Sequence, residues 1–312
     1  MKNNSITITY LSKVSLASLN GSDKDVDNIN PIKKVTMDNG EELPYVSSQA
    51  IRRALRDKIE ELGQEISPVG SSSTSKGAPK TALDPIKYID DDLFGYMDAK
   101  AGADGEAGTS NVRTSPVRVE SLISLATYKG DLDYATNFMG KKIGLNPNIF
   151  ETEIHSGVYR GSILIELDRV GRENIVIENK EKNKVVSRSL EVKELVSNDI
   201  KAKRVITFID AVQLLWSSGR QSRFLADISP KFVAAAIMKS KNPIFLESVN
   251  LDENGQVDVE KLNSVVNDYD RFIDKHTFAV QEGVFEKKEG MVSIKEGFEQ
   301  IRGWVNSYYE VK

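Results

Sequence analysis

The chain has 312 residues, of which 39% are hydrophobic and 28% charged, and this composition is typical of a folded protein with one large core or two smaller ones. It contains no cysteine, which excludes disulfides and thiolate metal sites, and its only histidines are His155 and His276, which argues against a zinc site or a histidine-based triad. The formal net charge of −4 argues mildly against a nucleic-acid partner, unless basic residues gather in one local groove.

The sequence predicts a cytoplasmic protein with no membrane partner. Its longest apolar run, residues 232–238, is far too short to span a bilayer. Residues 1–10 alternate between polar and apolar and do not form the hydrophobic centre of a signal peptide.

The N-terminal region is predicted to form strands. Residues 5–19 alternate strongly, which indicates one long, half-buried strand. The residues expected on its buried side are Ile6, Ile8, Tyr10, Val14 and Leu16. A turn signal follows at 20–22, and shorter strands at 33–37 and 41–46 flank Asp-Asn-Gly at 38–40, a strong signal of a β-hairpin.

An amphipathic helix is predicted over residues 44–62. Ser47 or Ser48 can cap its first turn, because a hydroxyl there accepts a hydrogen bond from a free amide. The buried stripe is expected to be Ile51, Leu55, Ile59 and Leu62. The opposite arc carries Gln49, Arg52, Arg53 and Arg56.

The arginines of this helix predict a phosphate-binding surface. The helix amides, the helix dipole and the forked guanidinium donors all favour an anion near the start of a helix. The alternative is a solvated face with ion pairs to Asp57, Glu60 and Glu61.

Two tracts of small polar residues, 67–80 and 99–111, are predicted to be mobile loops, with an ordered segment at 84–97 between them. The run at 70–77 resembles a phosphate-binding loop only in composition and lacks the required glycine spacing, so we expect no NTPase activity. The aspartates at 90–92 lack the alternating oxygen ligands of a calcium loop. We therefore expect neither a metal nor another cofactor.

The remaining sequence predicts an α+β fold. Its expected elements are a strand region at 112–128, an irregular excursion at 129–153, a central strand at 158–170, a helix within 190–216, a buried strand at 232–238 and helices at 259–280 and 293–309. The apolar side of the helix within 190–216 is expected to be Val205, Ile206, Ile209, Val212, Leu215 and Trp216. Without the excursions, the order is strand, helix, strand, strand, helix, strand, which is the ferredoxin-like or RRM-like arrangement. Such an antiparallel sheet carries its helices on one face and leaves the other free for a ligand, which in RRMs is single-stranded RNA.

Three basic groups are expected to meet along one edge of this sheet. The first is the arginine-bearing helix, and the second is the end of the first strand, with Asn20 and the following Lys33 and Lys34. The third is SSGRQSRF at 217–224, where a glycine lets the backbone approach a ligand and Arg220 and Arg223 reach phosphate. An alternative for the third group is an ordinary helix C-terminus followed by glycine.

Other polar residues give weaker signals. Arg113 and Arg118 form a fourth basic group, although an arginine pair on a strand edge also acts against aggregation. His155 has no carboxylate-rich surroundings that would make it a general acid or base. Asp131 and Asp133 are expected to be solvated loop residues.

Several blocks of the sequence are informative as an ordered set. They are LASLNGSDKDVDNINPIKKVTMDNGEELPYVSSQAIRRALRD at 16–57, DDLFGYM at 91–97, RTSPVRVESLISL at 113–125, VYRGSILIELDRVG at 158–171 and SSGRQSRFLADISP at 217–230. Together they span most of residues 1–240. In this order they resemble the backbone subunit of type I CRISPR Cascade complexes, the Cas-seven family in its DevR or Cst-two branch, with type I-B as the subtype.

The resemblance implies an organisation in the form of a hand. It implies an RRM-like palm with a helical finger insertion, a thumb hairpin and C-terminal helices. The segments would be palm at 1–66, 112–128 and 154–248, finger at 67–111, thumb at 129–153 and a helical segment at 249–312.

The resemblance also implies a scaffold with no nuclease activity of its own. Copies would polymerise along a CRISPR guide RNA beside other Cascade subunits, and the bound guide would pair with a target DNA strand. The residues expected to bind RNA are Asn20, Lys34, Ser48, Gln49, Arg52, Arg53, Arg56, Arg113, Arg118, Arg220, Gln221 and Arg223. Because such a protein must accept any guide, it should hold phosphate and ribose and leave the base edges free.

Two other functional classes remain open from the sequence. An RNA-processing endonuclease of the same CRISPR superfamily shares this fold, and His155 is its candidate acid–base group. A transcriptional autoregulator is suggested by the old family name, but we find no helix-turn-helix signature for duplex DNA.

Overall fold

The computed structural model describes residues 2–23, 28–70, 79–100, 109–138, 142, 144, 148–181, 184–216 and 223–311. Within these ranges the helices are α1 (Ser48–Glu61), α2 (Ile89–Phe94), α3 (Asn198–Gln213), α4 (Val259–Asp268) and α5 (Ile294–Tyr309). The strands are β1 (Ser5–Ala17), β2 (Ile29–Asn30), β3 (Lys34–Thr36), β4 (Glu42–Val46), β5 (Tyr96–Lys100), β6 (Thr109–Arg113), β7 (Val117–Val119), β8 (Leu122–Ser124), β9 (Leu132–Asn137), β10 (Asn148–Glu153), β11 (His155–Glu166), β12 (Arg172–Glu181), β13 (Lys184–Glu194), β14 (Phe232–Met238), β15 (Ile273–Val280) and β16 (Met291–Ser293).

The largest element is a sheet of nine strands within the described ranges. Its strand order is β16-β15-β14-β1-β11-β8-β4-β3, and β7 also pairs with β11. β1 lies in the middle and runs antiparallel to both neighbours, so that Ile8 lies opposite Ile163 on β11 and Ala235 on β14. This arrangement confirms a mixed α+β fold built on a largely antiparallel sheet.

One face of the sheet packs against α1, α3 and α5. Ile6 and Ile8 of β1 point into this core and are fully buried. The helix side chains in the same core include Ile51, Leu55 and Ile59 of α1, Val205, Phe208, Ile209 and Val212 of α3, and Phe298, Ile301 and Trp304 of α5. Each such side chain contributes about 1.5–3 kcal/mol when it is fully buried, so this core fixes the helices on the sheet.

The second face of the sheet is also covered, and the expectation that it is free for a ligand is wrong. Leu11, Phe232 and Phe278 lie on this face and are buried beneath a segment that includes Phe245 and Leu262. Because both faces are covered, β1 is buried on both sides from Ser5 to Ser12 and is not half-buried as predicted. The C-terminal region therefore builds a second core.

Several predicted elements are confirmed and others have different bounds. The hairpin of β3 and β4 and the helix α5 form as expected. The predicted helix at 259–280 is wrong in its second half, because residues 273–280 form β15 and pair with β14. The helix within 190–216 begins only at Asn198, because residues 184–194 pair with β12.

Three residues predicted to be buried are exposed. Leu16 is 50% exposed, because the pairing of β1 with β11 shifts register between Val14 and Ala17. Leu62 is 37% exposed, since it caps the C-terminus of α1. Trp216 is 39% exposed, since α3 ends at Gln213 and the indole lies beyond the helix.

Three smaller sheets are separate from the nine-stranded sheet. β5 pairs with β6, so the tract predicted as a loop at 99–111 is partly a hairpin, and the insertion holds only the short helix α2 within its described residues. β9 and β10 form a hairpin within the predicted excursion at 129–153, and β2 joins it. β12 and β13 form a further hairpin that the sequence analysis missed.

Candidate nucleic-acid interface

The start of α1 is tied to the sheet by Asn20 and Ser48. The Asn20 side-chain oxygen accepts a hydrogen bond from the Ser47 amide at 2.9 Å, and Ser47 caps the helix as predicted. The Ser48 hydroxyl donates to the Val119 carbonyl at 2.7 Å, and the Ser48 amide donates to the Ser121 hydroxyl at 3.1 Å. Asn20 and Ser48 thus hold the helix start in place.

The predicted arginine surface of α1 divides into an exposed and a covered part. The Arg53 side chain is 68% exposed and forms an ion pair with Asp57 at 2.9 Å. Gln49, one turn earlier, is also exposed. Arg52 and Arg56 instead lie against Phe94, with guanidinium carbons 5.2 and 4.5 Å from the ring centroid.

The covered arginines hold the insertion against α1. Arg52 donates a hydrogen bond to the Phe94 carbonyl, and Arg56 lies 3.4 Å from the Asp90 carboxylate. Burial, and then the neighbouring charge of Arg56, lowers the pKa of Arg52. Burial also raises the pKa of Asp90, against hydrogen bonding by the Ser67 amide. These contacts occupy two of the three guanidiniums that the sequence assigned to phosphate.

Arg113 lies inside the protein. Its side chain is 9% exposed, and it contacts the Asp92 carboxylate. It also donates to the backbone carbonyls of Asp92 at 3.1 Å and Arg172 at 2.8 Å. Arg113 therefore joins β6 to α2 and to the base of the β12–β13 hairpin.

Arg118 belongs to a cationic cluster around a buried carboxylate. Glu166 is 2% exposed and is contacted by Arg118 at 2.7 Å, Lys241 at 3.1 Å and Arg169 at 3.2 Å. Burial by itself would raise the pKa of Glu166, but hydrogen bonds from the three cations outweigh it, so the pKa is lowered. Glu166 lies opposite Ser5, at the end of β1 remote from Asn20.

Lys34 is held by β10. Its ammonium lies 2.9 Å from the Glu153 carboxylate and 4.3 Å from the centroid of the Tyr128 ring. Glu153 also accepts from the Ile32 amide at 2.9 Å. The pair of Lys34 and Glu153 thus fixes the end of β10 beside β3.

Arg223 is held by Thr152, which precedes Glu153 in β10. Its guanidinium donates to the Thr152 hydroxyl at 3.2 Å and forms an ion pair with Asp133 of β9. Asp133 is therefore a paired strand residue and not the loop residue that was expected, although its side chain remains partly exposed. Arg220 and Gln221 lie outside the described residues.

His155 lies inside the protein. It is 6% exposed, and its Nδ1 lies 2.8 Å from the Tyr159 hydroxyl. Burial lowers its pKa, against the effect of the Asp131 charge. The described residues contain no group of three or more histidine, aspartate or glutamate side chains placed to hold a metal ion. Among the described helices, none is long and apolar enough to cross a membrane.

Comparison with known protein families and with curated proteins shows which family the chain belongs to. The family described as CRISPR-associated negative auto-regulator DevR/Csa2 matches residues 8–261. The chain belongs to the DevR/Csa2 family. A curated relative from Myxococcus xanthus (strain DK1622), CRISPR-associated protein Cas7/Cst2/DevR, is 30% identical over a match of 151 residues that covers 44% of this chain and 50% of the relative. The match therefore spans about half the length of this curated relative.

Solved structures share the fold of this DevR/Csa2 chain. A chain of a structure titled "CRISPR RNA-guided surveillance complex, pre-nicking" has a TM-score of 0.60 and 14% identity, covering 97% of this chain and 100% of that chain. A chain of a "CRISPR RNA-guided surveillance complex" has a TM-score of 0.56 and 15% identity, covering 96% and 99%. At these identities the likeness shows the fold alone.

In this DevR/Csa2 chain, some of the predicted site residues lie close together, around the start of α1 and the end of β10. Asn20, Lys34 and the start of α1 are linked, because the Asn20 carbonyl accepts from the Lys33 amide at 2.8 Å. Lys34 contacts Glu153 and Arg223 contacts Thr152, which are consecutive residues of β10. The partners Phe94, Asp133, Thr152 and Glu153 were not predicted from the sequence, and of these only Phe94 lies in a block, DLFGYM at 92–97, that the sequence singled out.

Proposed function

We propose that this chain is a non-catalytic backbone subunit of a type I CRISPR effector, of subtype I-B. It binds the guide RNA by phosphate and ribose, assembles with further copies and other Cascade subunits along the guide, and presents the guide to a target DNA strand. The single observation that carries this proposal is the DevR/Csa2 family match, which includes α1 and β10 with the residues that they bring together.

The arrangement of the sheet supports an RRM-like palm. Strands β14, β1, β11 and β7/β8 lie side by side in the ferredoxin-like order, with α1 and α3 packed on one face. Since the second face is buried, the RNA would run along the edge of the sheet and not stack on it. A path along the edge suits a protein that must hold the backbone of any guide. We assign the β9–β10 hairpin to the thumb and the segment at 67–111 to the finger.

Exposure and contacts sort the site residues by role. Gln49, Arg53 and Arg223 are exposed, and we assign them to the RNA backbone, together with Arg220 and Gln221. Asn20, Lys34, Ser48, Arg52 and Arg56 are half-buried and engaged within the chain, so we assign them to positioning the helix and its neighbours. Arg113 and Arg118 are assigned to the fold, since their partners are internal carboxylates.

The test is to purify the chain together with its partner subunits from cells that express a CRISPR array. The expected result is a high 260/280 nm absorbance ratio, with bound RNA of one uniform guide length. A complex that carries no RNA would contradict the proposal.

Incubation with an unprocessed guide precursor tests the non-catalytic assignment. We expect the precursor to stay intact, because buried His155 offers no accessible acid–base group. Cleavage that is lost in His155→Ala would favour the endonuclease instead.

A further inference from the structure

One face of the β9–β10 hairpin holds Arg223. Its guanidinium carbon lies 5.3 Å from the Phe150 ring centroid and 5.4 Å from the Phe224 ring centroid. One nitrogen donates to the Thr152 hydroxyl at 3.2 Å, and the other contacts the Asp133 carboxylate. The Arg223 guanidinium thus lies close to two aromatic rings, with donors directed at the hairpin.

The strand register explains why these partners converge. Asp133 of β9 lies directly opposite Thr152 of β10, and Ala135 lies opposite Phe150. Directly opposed residues place their side chains on the same face of an antiparallel pair. The carboxylate and the hydroxyl therefore reach the same guanidinium.

The ion pair remains open to solvent. The side chains of Arg223 and Asp133 are 30% and 37% exposed. A guanidinium holds a carboxylate and a phosphate with the same planar fork of donors. A phosphate that approaches Arg223 from solvent therefore finds the anion-binding position occupied by the Asp133 carboxylate.

We propose that Asp133 is a built-in competitor for the phosphate of the guide at Arg223. In the RNA-free chain the Asp133 carboxylate occupies the anion position, and a phosphodiester of bound RNA displaces it. Both anions carry a single negative charge, so the exchange leaves the net charge at Arg223 unchanged. It releases Asp133 from its ion pair with Arg223. This inference rests on the proposed function, since it requires that Arg223 meets RNA.

The test compares two variants that remove the same charge from the same hairpin. Asp133→Asn removes the competitor, and Glu151→Gln is the control because Glu151 lies opposite Tyr134, on the other face of the hairpin. The probe is a fluorescein-labelled single-stranded oligoribonucleotide, followed by anisotropy at several salt concentrations. Measured exposed ion pairs typically contribute about 0.2–1 kcal/mol, so Asp133→Asn should bind RNA about 1.4- to fivefold more tightly than Glu151→Gln.

Arg223→Ala completes the design. If Asp133 acts through Arg223, the double variant Asp133→Asn/Arg223→Ala should bind no more tightly than Arg223→Ala alone. Asp133→Ser serves as a second competitor-free variant and should reproduce the gain. Equal affinities of Asp133→Asn and Glu151→Gln, or weaker binding by Asp133→Asn, would overturn the competitor and leave the proposed function intact. A wild-type chain that binds no oligoribonucleotide at low salt would overturn both.

Discussion

Arg204 and Asp92 form an enclosed ion pair, with 2.7 Å between the guanidinium Nη1 and the carboxylate Oδ2. Asp92 is fully buried and also accepts from the Gly171 amide at 3.0 Å. The same carboxylate contacts Arg113. One side chain therefore joins α2, α3, the end of β6 and the turn that begins the β12–β13 hairpin.

Asp92→Asn should lower the free energy of unfolding by about 3–5 kcal/mol, because it leaves the enclosed charges of Arg113 and Arg204 without their shared counterion. Urea unfolding followed by circular dichroism measures the change. The control is Asp268→Asn, the same substitution at an exposed position of α4, where we expect a change within about 0.5 kcal/mol. Similar losses in both variants would show that Asp92 does not join these elements.

Substitution of Arg53 should affect RNA binding, and substitution of Arg52 should affect the stability of the fold. Arg53→Ala removes an exposed cation, so it should weaken RNA binding and reduce the salt slope of log K by about 0.7 for each lost phosphate contact, with unchanged unfolding. Arg52→Ala leaves the Phe94 carbonyl without its donor and should lower the free energy of unfolding by about 1–3 kcal/mol. Salt-dependent anisotropy and urea unfolding of both variants provide the measurements. If Arg52→Ala changes the salt slope and Arg53→Ala does not, the assignment of roles is reversed.

Local sequence patterns predicted much of the fold but not the partners of the site. The period of α1, its Ser47 cap and the turn at 38–40 are local features, and the structure confirms them. That Phe94 covers Arg52 depends on a contact across 42 positions, which a helical period does not contain. The hairpin of β12 and β13 was not predicted, because its strands do not alternate regularly between apolar and polar residues. Apolar residues such as Ile175 and Leu190 lie on opposite faces of the hairpin, among many charged residues.

The cover on the second sheet face was missed for a related reason. All strands and helices of the predicted RRM-like core lie before residue 240, and the local sequence of β1 contains no signal that a later segment packs on it. Phe245, Val249 and Leu262 become informative only once β14 is placed beside β1, because they lie over Phe232 and Leu11. The prediction of a free binding face failed at this step.

Glu166 should make the free energy of unfolding decrease at acidic pH. Its pKa is lowered in the folded chain, so its contribution is complete above the ordinary glutamate range and is lost as the pH falls through the folded-state value. Glu166→Gln should lower the free energy of unfolding by about 1.5–3 kcal/mol at neutral pH, because three cations lose a charged acceptor. The difference from wild type should shrink as the pH falls below the ordinary glutamate range, because the wild-type carboxylate then takes up a proton. Urea unfolding at neutral pH and at a series of acidic pH values measures the difference. A constant difference at all pH values would mean that the ion pairs with Arg118, Arg169 and Lys241 are not responsible.

Tyr10 and Tyr159 should respond in opposite directions to loss of their hydroxyl groups. Both are 1% exposed, but the Tyr10 hydroxyl has no hydrogen-bond partner within the described residues, whereas the Tyr159 hydroxyl lies 2.8 Å from His155 Nδ1. The Tyr10 ring is tightly enclosed, since a Cβ added at Gly161 would lie 2.6 Å from its Cζ. A buried hydroxyl without a partner is unfavourable, so Tyr10→Phe should raise the free energy of unfolding by up to about 1 kcal/mol.

Tyr159→Phe is the matched control for this substitution. It removes the same oxygen atom but leaves the imidazole of His155 without its partner in a buried position, so it should lower the free energy of unfolding by about 1–3 kcal/mol. Thermal and urea unfolding of both variants at neutral pH, where the lowered pKa keeps His155 uncharged, provide the comparison. Equal losses in the two variants would mean that the Tyr10 hydroxyl is hydrogen-bonded in solution, and the sheet core between β1 and β11 would then hold a polar partner for it.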